Sequence, residues 1–146
     1  MKTTRLLLGL LVFAALFAPA RAAERTSLRA ILVAASNDKG PSDRRLAAFE
    51  PTLRSILRFE SYRFLGEGSA TLAVPAQGTL SLGQGHHLEI ETEAAGKDSI
   101  RVRVSWLEGD RVLMRTVISQ RPGVPSVLGG PRRGDGEVYA VIVVGR

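Results

Sequence analysis

The chain contains no cysteine, which excludes disulfides, thiolate nucleophiles, thiolate metal sites and a cysteine-linked lipid anchor. Histidine is almost as scarce: His86 and His87 are the only two. Adjacent residues in a strand point to opposite faces, so this pair cannot jointly grip a zinc ion, and no H-E-x-x-H motif exists to supply another site. No metal and no cofactor is expected. His86 itself reads as an exposed residue at a strand entry beside "GQG". Trp106, Tyr62 and Tyr139 are the aromatic residues polar enough to build a sugar-binding platform, and Trp106 falls on an apolar row that assigns it to the core.

Long hydrophobic runs are confined to the N-terminus. Lys2 and Arg5 precede an apolar stretch of 13 residues, Leu6 to Ala18, and Ala20 and Ala22 occupy the small positions of an A-x-A-like cleavage site. This is the pattern of a secretory signal peptide over residues 1–22, and it is too short for the roughly 20 residues that a spanning helix needs. The later apolar run, Val138 to Val144, holds seven residues, so no integral span is expected after cleavage. Lys2, Arg5 and Arg21 leave with the signal. The formal charge then falls from +6 to +3, with 17 basic and 14 acidic residues interspersed along residues 23–146. So mild a balance does not call for nucleic acid as a partner. The remaining 124 residues suffice for one β-rich domain with its own core and are too few for two.

What is present is mostly alternation. "TSLRAILVAAS" (26–36) reads as a strand covered on both faces, and "NDKGPSD" as the turn that ends it. In "SDRRLAAFEPTLRSILRF", Leu46, Phe49, Leu53, Ile56 and Leu57 form one helical stripe. Ser42 or Asp43 caps its start, and Pro51 either kinks the helix or opens a second short one. Short strands follow at Tyr62–Leu65, Thr71–Val74 and Thr79–Leu82, broken by glycine or proline. From His87 to Ser119 the period is two: Leu88, Ile90, Ile100, Val102, Val104 and Trp106 point inward, and Glu89, Glu91, Arg101 and Arg103 outward, with a hairpin at Gly109–Asp110. Paired across neighbouring strands, Glu89 and Glu91 face Arg101 and Arg103. "EVYAVIVV" lacks polar alternation and reads as a central strand. The expected fold class is mainly β with one helical segment (α+β): an antiparallel β-sandwich or sheet with a packed helix.

Catalytic constellations are thin. Ser81, a histidine and Asp98 lack the G-x-S-x-G context of a nucleophile elbow. Glu89, Glu91 and Glu93 share one strand face rather than flanking a cleft, and facing arginines would keep them ionised. "GGPRRGDG" has no lysine where a phosphate loop requires one, and it runs into a strand, not a helix. Arg133 to Asp135 spell an adhesion tripeptide, a match three residues long that arises readily by chance. The two polar loops remain as candidate contact surfaces: Asn37, Asp38 and Lys39 in the first, and Arg132, Arg133 and Asp135, read as a solvated turn, in the second.

The elements "LVAASNDKGPSDRRL", "SILRFESYRFLGEG" and "VLGGPRRGDGEVYAVIVV" together resemble a family of small, uncharacterised exported bacterial proteins. The resemblance implies a Gram-negative periplasmic, envelope-associated or secreted setting and carries over no catalytic residues. The expected function is a non-enzymatic exported domain that mediates protein–protein interaction or assembly in the envelope, its partner another envelope or secreted protein. A polysaccharide or small-ligand module is the second reading and a small secreted hydrolase the third.

Overall fold

The computed structural model describes residues 25–134 and 136–146, and the expected signal segment 1–22 and Asp135 lie outside the described residues. Its elements are β1 (Arg25–Ser36), a one-turn 3-10 helix (Arg44–Leu46), α1 (Glu50–Leu57), β2 (Ser61–Ala73), β3 (Ala76–Gly83), β4 (His86–Ala94), β5 (Ile100–Glu108), β6 (Arg111–Gln120), β7 (Ser126–Arg132) and β8 (Val138–Gly145). They form two antiparallel four-stranded sheets, one ordered β2-β1-β8-β7 and the other β3-β4-β5-β6. The β1–β8 pairing brings the chain back on itself, so the sheets are two layers of one up-and-down meander with corners at β2/β3 and β6/β7. Among the described residues no helix is long and apolar enough to cross a membrane.

Alternation sets which side chains each layer buries. Leu28, Ala30 and Leu32 of β1 meet Leu88, Val102 and Trp106 between the sheets. The opposite row of β1, Ile31, Val33 and Ala35, joins Ala140 and Ile142 of β8 beneath Leu46 and Leu53 of the helical segment. Strands β1 and β8 are thus covered on both faces, as their unbroken apolar runs require. Among the described residues, sheet β3–β6 is covered only on its inner face.

Three expectations are corrected. The separate strands 62–65 and 71–74 are one strand, β2, because Gly66 does not break it. A Cβ at Gly66 would run into the carbonyl of Leu82, so glycine is the residue that lets β2 pass β3 at the corner. A bulge after Leu32 leaves Leu65 unpaired and sends it to the inter-sheet core. Ile56, expected on the helical stripe, is 53 % exposed. The chain makes two short helical pieces, with Pro51 in the first turn of α1, and only Leu46 and Leu53 are fully buried. Asp43 caps the first piece by accepting from Arg45 N at 3.0 Å, while Ser42 Oγ accepts from Tyr62 N. The Arg45 guanidinium beside Asp43 lowers its carboxyl to about 2. The acidic register is displaced by two residues: Glu91 faces Arg103, Glu93 faces Arg101, and Glu89 faces Ser105.

Candidate functional site

The two loops singled out from sequence lie at the same end of the molecule, because β1 ends beside the start of β8, with Ala35 opposite Val138. Asn37, Asp38 and Lys39 are exposed there. Asp38 shares a recess of about 350 Å³ with Asp43, Ser61, Arg63 and Glu137. Arg63 ion-pairs with Glu137 at 3.0 Å. Arg132 is exposed at the end of β7. The expected solvated pair of arginines is not found, however: Arg133 turns away from Arg132 and packs against the open end of the inter-sheet core.

There Arg133 completes a cluster of five side chains. His86, only 2 % exposed, receives a hydrogen bond on Nδ1 from Trp106 Nε1 at 3.0 Å. Indole N–H can only donate, so Nδ1 is the bare ring nitrogen and the proton sits on Nε2, 2.8 Å from Glu108 Oε2. Arg133 Nη2 lies 3.1 Å from Nε2 and donates to the same Glu108 oxygen, so the two donors share one carboxylate. The guanidinium stacks 4.2 Å above the Tyr139 ring, and Arg111 adds a second cationic contact to Glu108 at 3.2 Å.

Burial pushes the His86 pKa down, with the positive charge of Arg133 helping and Glu108 opposing. The Arg133 hydrogen bond holds Glu108 below the usual carboxylate range, and the same bond raises Arg133. Gly130 belongs to this arrangement. A Cβ there would strike the Trp106 ring, so the glycine lets β7 pass directly over the indole. The "GGPRR" run is therefore read by what it packs on, and its turn closes through Arg133 N donating to Glu137 O at 2.6 Å.

A buried histidine beside a glutamate has the composition of an acid–base pair, but here each ring nitrogen already has a partner. Glu108 is held ionised and has no proton to give. The cluster ties β4, β5, β8 and the turn after β7 into one end of the sandwich. Ser81 is exposed and pairs across the strands with His87, not His86, and the acid stands apart from both. Asp98 is exposed in the β4–β5 connection, beyond the far end of a strand roughly 26 Å long from His86. Burial of His86 reverses its expected exposure, and the signal for it was present: position 86 has the same parity as inward-facing Leu88 and Ile90.

The outer face of sheet β3–β6 differs in kind. Gln77 and Thr79 of β3, Glu89 and Glu91 of β4, Arg103 and Ser105 of β5, and Arg115 and Val117 of β6 line an open groove of about 720 Å³. Val117 is 51 % exposed. Arg101 and Glu93 extend the face and sit 3.6 Å apart, each about half exposed. No family model, curated protein or solved structure matches the chain. The candidate site therefore rests on its own geometry: an uncovered, concave, mixed-charge sheet face, together with a closed polar cluster at one end of the same sheet. Among the described residues no group of three or more acidic or histidine side chains is placed to hold a metal ion.

Proposed function

We propose that this chain is an exported, non-enzymatic domain that binds another protein in the cell envelope through the outer face of sheet β3–β6. The observation that carries the reading is the asymmetry of the two outer faces. A helical segment covers the face of sheet β2-β1-β8-β7, and among the described residues nothing covers the equivalent face of β3–β6. Three outward glutamates, Glu89, Glu91 and Glu93, are matched by Arg101, Arg103 and Arg115. A balanced face disfavours polyanions such as nucleic acid and favours a protein surface of mixed charge. The glycan reading lacks its platform: Trp106 and Tyr62 are buried, and Tyr139 lies under Arg133. At His86 the hydrolase reading finds no free base, because both of its ring nitrogens are engaged. The basic and apolar run of residues 1–22 supports export.

A photo-crosslinking residue placed at Val117 or Thr79, with Ile56 as control, tests this in intact Gram-negative cells. Discrete protein adducts from Val117 and Thr79, and none from Ile56, are expected in the periplasmic or envelope fraction. Adducts from Ile56 alone, or none from the sheet face, overturn the reading.

A further inference from the structure

Resting on the reading that this sheet face binds protein, we infer that its partner is a second copy of this chain, docked face to face about a two-fold axis parallel to the strands. The acidic row lies on β4 (Glu89, Glu91, Glu93) and the basic rows on the next two strands (Arg101 and Arg103 on β5, Arg115 on β6). A two-fold axis running along the strands between β4 and β5 exchanges these two strands. Each glutamate row then meets an arginine row of the other copy. An axis running across the strands would instead set glutamate on glutamate, so the charge pattern selects one of the two ways of stacking the sheets.

Each copy keeps its own cross-strand pairs, Glu91 with Arg103 and Glu93 with Arg101, and gains the same partners from the opposite copy. The charges cancel across the face, so neither copy repels the other as a whole. The rims match as well: Gln77 and Thr79 of β3 come opposite Arg115 and Val117 of β6, which joins uncharged polar groups to a single arginine and an exposed valine. Four strands at ~4.8 Å spacing and nine residues at ~3.3 Å rise give a face of roughly 570 Å² in projection. The accessible area of such a corrugated surface is larger, which approaches the ~800 Å² per partner of a standard interface. Because its polar contacts are charge pairs near solvent, the dimer is expected to weaken as salt rises.

Sedimentation velocity on the mature chain, from about 1 to 100 μM, tests the inference with three variants. The wild type is expected to dimerise within that range. Glu91→Arg and Arg103→Glu should each weaken self-association at least tenfold, since each sets like charges against each other in the homodimer. An equimolar mixture of the two should restore a dimer, because the arginine-rich face then meets the glutamate-rich one. Val117→Arg, which removes neither member of an intrachain pair, should also dissociate, and it keeps the test decisive should a charge reversal unfold the chain. Circular dichroism melts on each variant separate unfolding from dissociation. A wild type that stays monomeric at 100 μM, or reversals that leave the dimer unaffected, overturns the inference. In that case a Val117 crosslink to a protein of another mass would retain the face as a binding surface, and loss of both signals would remove it.

Discussion

The two sheets carry outer faces of opposite fate. On β1 and β8 the outward rows Ile31, Val33, Ala140 and Ile142 are fully buried under Leu46 and Leu53. On β4 and β5 the outward rows are glutamate and arginine, and they stay in water. Both sheets have the same strand number and antiparallel pairing. What differs is the outward rows themselves, and the short helical segment between β1 and β2 covers the apolar one and makes it core. The uncovered face is the one available for binding, because polar side chains there retain solvent and are not already committed to packing.

The largest test of this contrast is truncation on each face. Leu53→Ala empties a fully buried site and should cost about 2–5 kcal/mol, read as a lower urea midpoint at unchanged slope. Val117→Ala on the open face should stay within about 0.5 kcal/mol. Equal losses at the two positions would erase the distinction between a covered and an open face.

The closed cluster at the end of sheet β3–β6 sharpens the contrast through pH. Burial holds the His86 pKa below its unfolded value near 6.5. As pH falls through that value the unfolded chain takes up a proton that the folded chain refuses, so folding is favoured above about pH 6.5 and loses stability with acidification. The slope is bounded at about 1.4 kcal/mol per pH unit for one proton. Glu108, whose pKa is also depressed, keeps its contribution until the unfolded chain's carboxyl begins to protonate in the ordinary carboxylate range, so the interval from pH 6.5 to 5 isolates the histidine. Thermal melts should show His86→Gln less stable at pH 7 and flatter across that interval. A wild-type curve without the slope would mean the ring takes its proton in place.

The smallest effect is expected from the exposed pair. Arg101→Gln should change monomer stability by less than about 1 kcal/mol, because both partners are half in solvent, and a double-mutant cycle with Glu93→Gln reads the coupling directly. A larger coupling would show the pair rigidifying the face.

Strands whose side-chain pattern depends only on their own two faces were legible. β1, β8, the β5–β6 hairpin and the inward row from Leu88 to Trp106 follow from parity, and of the two roles open to Pro51 the structure has the second, opening a short helix. Less legible was anything set by a distant neighbour. Gly66 looks like a strand breaker until Leu82 is seen beside it, and Gly130 looks like a turn residue until Trp106 is. Arg133 looked solvated because Glu108, 25 positions away, and Tyr139 are what draw it inward. His86 is the instructive case, since its parity pointed inward while its polarity argued for water.

The order of apolar and polar residues by itself determined the strand periodicity, the covered central strands and a sheet face made of charges, because side-chain direction in a strand is a local property. Which glycines mark close approaches, which arginine turns inward and how the charged rows register across neighbouring strands were decided only by the tertiary structure. Those outcomes depend on which atoms arrive across the sandwich, and the period of a strand holds no information about its partner.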